Sequence, residues 1–204
     1  MQGYIIHTQK LRDEDLIVDI LTKDLLVKSY RFYGARHSNI MLGYKIDFEL
    51  ISNIKFLPQL RSVMHLGFKW LYDRNRLIIW QQFINLLYKH LKDTEDLDEI
   101  YFQTLENMAL KFDKTNPKRI VIEAYLEILA NEGRLHNDMI CFICDEKIEE
   151  NVALVRGFLP SHKMCSHADD FNANYIKRLF DTKNSSFIDD NDINRLYDII
   201  LQGL

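Results

Sequence analysis

Apolar and polar side chains alternate in short, closely spaced runs at the start of this chain. The runs are residues 3–8 (GYIIHT), 15–22 (DLIVDILT), 25–32 (LLVKSYRF) and 42–54 (LGYKIDFELISNI), with turn-like breaks at Asp13-Glu14 and Lys23-Asp24. A period of two sends successive side chains to opposite faces, so each run reads as a strand with one buried side. Several such strands at close spacing predict a small antiparallel barrel, not a helix or a parallel sheet. Leu16, Val18 and Ile20 share one strand face and, with Ile5 and Ile46, are the expected core.

Small barrels of five strands are often OB-folds, whose exposed face binds single-stranded nucleic acid. The charge is distributed to suit that ligand. The net charge of -4 divides into +4 over residues 1–80 and -8 over residues 81–204. Between residues 25 and 72, Lys28, Arg31, Arg36, Lys45, Lys55, Arg61 and Lys69 face only Asp47 and Glu49. Lys and Arg release counterions from a polyanion, so a locally basic barrel on an acidic body is what a phosphate-binding module needs. The candidate DNA contacts are Lys28, Arg31, Arg36, His37, Lys45, Lys55 and Arg61. Gly34 lets the loop after the third strand approach it closely, and Arg36 adds a fork-shaped donor. On that strand Lys28, Tyr30 and Phe32 point one way and Ser29, Arg31 and Tyr33 the other. Either row could be the interior, so Tyr30 and Phe32 are base-stacking rings or core residues.

Past residue 72 the period changes to that of a helix. Helices are expected at 74–91, at 97–112, where Asp96 and Asp98 favour the start, and from Asn116-Pro117 to about Glu132, stopping at Gly133. The third should bury Ile120, Ala124, Leu126, Ile128 and Leu129. A strand pair at 152–156 and 157–159 and helices at 171–180 and 189–202 complete the chain. The expected architecture is α+β: a five-stranded OB-fold barrel (1–72) packed on an α-helical domain (73–204) that carries a zinc-ribbon-like insertion at 137–168.

Three cysteines cannot close a disulfide framework. Cys141-Phe142-Ile143-Cys144 has the spacing of a metal knuckle, and Cys165 with His167 would complete a tetrahedral zinc set. His162 is the alternative fourth ligand, and three buried thiols are the alternative to a metal. Either role is structural, because four protein ligands leave no open position for chemistry. There is no P-loop, GxSxG, HExxH or GxGxxG signature. The clusters Asp13-Glu14-Asp15 and Asp189-Asp190-Asp192 read as a turn and a helix start, not a nuclease site. The strand begins directly after Met1-Gln2, and the apolar stretch 77–91 is broken by Gln81, Gln82, Asn85, Lys89 and His90. A cytoplasmic protein without a membrane span is expected.

These segments resemble the bacterial RecO family. The resemblance runs through residues 3–8 and 14–22, the Gly34-Ala35-Arg36 turn, the LGYKIDFEL strand and Leu60-Arg61-Ser62. It continues through 119–133, with Glu123 in the matching place, and ends at the Cys141/Cys144 knuckle. It implies a DNA-binding, non-enzymatic mediator of recombinational repair that anneals complementary strands. With its partner RecR such a protein helps RecA displace single-strand binding protein (SSB) from single-stranded DNA. It also implies that the helical region receives the SSB tail, an acidic peptide with an apolar end, near Lys118, Arg119 and Arg134. Two departures stand out. Tyr33 and Ser38-Asn39-Ile40 occupy a loop that is richer in cations in the family, and Ala168 replaces a second knuckle cysteine. The first departure favours, as the other reading, an OB-fold adaptor whose main ligand is protein.

Overall fold

Five strands occupy the alternating runs: β1 Gln2–Lys10, β2 Leu16–Leu21, β3 Leu26–Arg31, β4 Lys45–Asn53 and β5 Phe56–His65. They close into a barrel in the order β1-β2-β3-β5-β4, with β4 returning to β1. The computed structural model describes residues 1–36, 39–53, 56–94 and 97–204. All the pairings are antiparallel except that of β3 with β5, which meet at Tyr30 and Gln59. The barrel is the expected OB-fold.

Alternation decides what lies inside. Ile5, Leu16, Val18, Ile20, Val27, Ile40, Ile46, Phe48 and Leu60 form the core, and it contains every residue expected there. On β3, Val27 and Ser29 are the buried pair, so Lys28 and Tyr30 face out. Ser29 is tolerated inside because its hydroxyl donates to the Val18 carbonyl at 3.0 Å.

Two helices, α1 Arg74–Leu91 and α2 Ile100–Lys111, cover one side of the barrel. Their seam is aromatic. Tyr4 leaves the outside of β1 to meet Trp80 and Phe102, each at 5.8 Å, and Phe112 lies 5.4 Å from Trp80 and 4.8 Å from Trp70. Each indole N–H has an acceptor, the Ala109 carbonyl for Trp70 and the Gly43 carbonyl for Trp80. Gly43 has φ +84, and a Cβ there would stand 2.6 Å from the Trp80 ring. This packing explains where the chain divides. The period changes between β5 and α1, but the compact units are Met1–Asp113 and Lys114–Leu204, because α1 and α2 pack with the barrel.

The second unit holds α3 Pro117–Asn131, α4 Lys163–Ser166, α5 Ala173–Thr182 and α6 Asp190–Ile200. It also holds a three-stranded sheet of β6 Asn151–Val155, β7 Leu159–Ser161 and β8 Asp170–Asn172, with β6 central. α3 begins as read, with Asn116 accepting from the Lys118 amide and Pro117 in the first turn. The face expected to be buried is buried, together with Val121, Ile122 and Tyr125, so the helix is apolar on most sides. The second strand of the hairpin starts two residues later than read. Residues 156–158 form a turn with Gly157 at φ +74 and Phe158 at φ 52, left-handed conformations that end β6 before β7 begins. Among the described residues no helix is long and apolar enough to cross a membrane.

Candidate nucleic-acid interface and metal centre

The cations proposed for DNA meet different fates on the barrel. Lys28 is exposed on β3, 4.0 Å from the buried Asp19 carboxylate, its register partner on β2. Arg61 is exposed on β5. Arg36 is exposed at the end of the Gly34 turn, but its guanidinium bonds the Glu14 carboxylate and lies 5.1 Å from the Tyr33 ring. Arg31 is half-buried, and its guanidinium donates to the Leu60 carbonyl at 2.8 Å. Burial, and secondarily the neighbouring Arg61, hold its pKa below the usual arginine value. Arg31 therefore ties β3 to β5 rather than facing solvent.

Lys45 requires a correction. Its ammonium turns toward α2 and pairs with Glu106 at 2.8 Å, within 6.0 Å of the Tyr4 and Phe102 rings. Tyr4 donates to the other Glu106 oxygen at 2.6 Å. Desolvation, and then Glu106 itself, push the Tyr4 hydroxyl pKa far up, so it remains a donor. Lys45 holds the barrel–helix seam and is not placed to meet a phosphate. Strand alternation correctly puts it outside the barrel, but the outside of β4 is covered here. His37 and Lys55 lie outside the described residues.

The loops beside the exposed cations are pinned. Asp15 accepts from the Tyr30 hydroxyl and from the Tyr33 amide. These two donors, the hydroxyl the stronger, hold its carboxyl below the usual range. Gly34 is buried against Leu16, where a Cβ would meet the leucine at 3.0 Å. The turn after β1 and the turn after β3 thus form one cluster, and the acidic run Asp13-Glu14-Asp15 serves as its polar lining. The role of Tyr30 and Phe32 is also decided. Tyr30 is half-buried and Phe32 is 53% exposed, their rings 4.8 Å apart edge to face on the outer surface.

In the second unit the three thiols converge. Cys141, Cys144, Cys165 and His162 place their ligand atoms within 4.8 Å of one another. The His162 Nδ1 lies 3.4 Å from the Cys144 sulfur and 4.0 Å from that of Cys165. The expected ligand His167 is replaced by His162. His162 caps α4, so Cys165 follows it by one helical turn on the same side, while His167 ends that turn at φ 57 with an exposed side chain. His162 Nε2 is 3.3 Å from the Lys147 carbonyl, the partner that a metal-binding imidazole uses to present its other nitrogen. Burial raises the Cys141 thiol pKa, but amides of His162, Ile143 and Cys144 outweigh it and bring the value down to about 6. Cys165 is pushed up to about 11 by desolvation and by the other two thiols. Three sulfurs and one imidazole nitrogen are a closed zinc-type donor set, and tetrahedral zinc needs sulfurs roughly 3.8 Å apart for Zn–S bonds of about 2.3 Å. The cluster is close to that spacing and could hold a metal ion.

The cations proposed to receive an acidic peptide are largely engaged. Arg119 donates to the Ser185 and Ile188 carbonyls and pairs with Asp190 at 2.8 Å. Glu123, one turn along α3, accepts from the Ser185 amide and hydroxyl at 2.9 and 2.8 Å. Together they clamp the segment leading into α6. Lys118 bonds Asn194 at 2.7 Å. Arg134 pairs with Glu132 yet also lines a pocket of about 450 Å³ with His136, Phe142, Arg156, Leu159 and Leu204. His136, Phe142 and Arg156 were missed from sequence, since no periodicity links loop residues so far apart.

Residues 1–71 match the family model described as RecO N terminal, which spans the whole barrel. None of the curated proteins matches the chain.

Proposed function

We propose, on the match of residues 1–71 to the RecO N-terminal family model, a non-enzymatic recombination mediator that binds single-stranded DNA on its barrel. The observation that carries this reading is the outward placement of Lys28 and Arg61 on adjacent strands of an OB-fold. In this reading the protein anneals complementary strands and, with RecR, helps load RecA onto SSB-coated DNA. The pocket beside Arg134 and Arg156 supports contact with the SSB tail, since it joins cations to the apolar walls of Phe142 and Leu159. A zinc ion on Cys141, Cys144, His162 and Cys165 serves as a structural clip.

Affinity for a single strand is expected to fall steeply with salt, with a log–log slope of about -0.7 per phosphate contacted. Arg61→Ala and Lys28→Ala should each weaken binding to all sequences alike and reduce that slope, because phosphate contacts carry no base information. A gel shift or anisotropy titration at several salt concentrations measures both. An affinity indifferent to salt would defeat the reading. Lys45 and Arg36, both paired with carboxylates, favour one other reading, an OB-fold adaptor acting mainly through protein contacts. In that case purified protein would bind RecR or the SSB tail while failing to shift DNA.

A further inference from the structure

We infer that the cysteine cluster is also a modification site for peroxides, at which Cys144 is oxidised and Cys165 closes a disulfide with it, expelling a bound ion. Loss of the ion presupposes the metal reading. The choice of thiols follows from exposure and geometry alone.

The three sulfurs are not equivalent. Cys144 is exposed and Cys165 half-buried, whereas Cys141 is fully buried. The Cys141 sulfur accepts from the His162 amide at 3.5 Å. Its backbone is tied on both sides, the amide donating to the Glu146 carbonyl and the carbonyl accepting from the Asp145 amide, each at 2.9 Å. Oxidation of a cysteine follows its thiolate character and its access to the oxidant. Ligation to a metal deprotonates all three thiols alike, so access decides, and it selects Cys144. Cys165 is the second most accessible, and its sulfur lies within 4.8 Å of that of Cys144. A disulfide bond is about 2.05 Å long, so the pair must close by less than about 3 Å. Both stand on single turns, Cys144 in the knuckle and Cys165 in the four-residue α4, where so small a shift breaks no long element.

The electrons balance with a peroxide as oxidant. The Cys144 thiolate attacks one peroxide oxygen, so that an S–O bond forms, the O–O bond breaks and hydroxide leaves. The Cys165 thiolate then attacks the resulting sulfenic sulfur, so that the S–S bond forms, the S–O bond breaks and a second hydroxide leaves. Two thiolates have given up two electrons, and both hydroxides take protons from solvent. Only Cys141 and His162 remain as ligands, half of what a structural zinc requires.

Phe142 carries the consequence beyond the cluster. It stands between Cys141 and Cys144, is 46% exposed, and lines the pocket that holds Arg134 and Arg156. Drawing Cys144 to Cys165 while the ion is lost displaces this ring from the pocket wall. On the reading of that pocket as a receptor for an acidic peptide, peroxide weakens the contact and reductant restores it.

The test treats the full chain, loaded with zinc, with hydrogen peroxide, and follows a chromogenic zinc indicator and peptide mass maps. All three cysteines of the chain lie in the cluster, so no other thiol contributes. Wild type should release its zinc, form the Cys144–Cys165 disulfide, leave Cys141 free for alkylation, and take zinc up again after reduction. In Cys165→Ser, with or without zinc, the sulfenic acid should persist on Cys144 and be trapped by a 1,3-dione. Cys144→Ser should slow disulfide formation roughly tenfold or more, because the most accessible thiolate is gone. Wild type that keeps its thiols reduced, a disulfide that includes Cys141, or a dione adduct on Cys141 instead of Cys144 would overturn the site. Protein that takes up no zinc would defeat the metal reading, and the thiol maps would still judge the site. An acidic peptide with an apolar end should bind the oxidised protein severalfold more weakly. Equal affinity would overturn the link to the pocket, and no binding to the reduced protein would defeat the peptide reading alone.

Discussion

Arg36 shows how a cation can be present in the sequence and yet withheld. Its guanidinium is already bonded to Glu14, so that carboxylate competes with any other anion for it. Glu14→Gln should therefore tighten single-strand binding by up to about fivefold at low salt, the range for an exposed ion pair. The gain should vanish in the Glu14→Gln/Arg36→Ala double variant, measured by the same titration. Asp15, in the same cluster, gives a pH signature. Its pKa is lowered in the folded chain, so its stabilising contribution is present above the unfolded value of about 3.9 and is lost as pH falls through the folded value. Asp15→Asn should flatten the acid limb of a melting-temperature profile below about pH 4. Legibility at this scale was uneven. Residue type nominated Lys28 and Arg61 as surface cations, but the period left open which row of the third strand faced inward, and only the buried Val27 and Ser29 decide it. Residue type and period could not say that Lys45 meets Glu106 or that His162 displaces His167, because each depends on a partner distant in sequence or on the handedness of a single turn.

Elements were the most legible part of the chain, and the reason is local chemistry. Asp73, Asn116 and Asp189 each cap a helix through a side chain accepting from amides two or three residues on; of these Asn116 is read as a cap and Asp189 as a helix start from the sequence alone. Asn116→Ala should cost about 1 kcal/mol of stability in the second unit, seen in denaturant titration by circular dichroism. The hairpin was misplaced by two residues because Phe158 adopts a left-handed conformation that its side chain gives no reason to expect. Gly43 is the opposite case, a glycine whose need is visible only with the fold in hand. Gly43→Ala meets both a positive φ and the Trp80 ring, so it should destabilise the first unit by more than about 1 kcal/mol.

At the scale of the whole molecule, the two compact units have different sources of order. The first is built on a closed barrel and an aromatic seam. The second spends part of its chain on short strands and turns around the cysteine cluster, where an ion, once bound, would contribute folding free energy. Zinc should co-purify at about one per chain. Cys141→Ser and His162→Ala should lower that stoichiometry, whereas His167→Ala should leave it near wild type, as elemental analysis would show. Removing the ion should loosen residues 137–168 in hydrogen exchange and leave the barrel amides protected.

Both tryptophans of the chain, Trp70 and Trp80, are buried in the aromatic seam of the first unit, and the second unit has none. The molecule thus carries a built-in optical label on one half. Indole emission follows the melting of the barrel with α1 and α2 and is silent about the cysteine cluster. Backbone dichroism sums both halves, so subtracting one transition from the other yields the second half's stability without cutting the chain or attaching a dye.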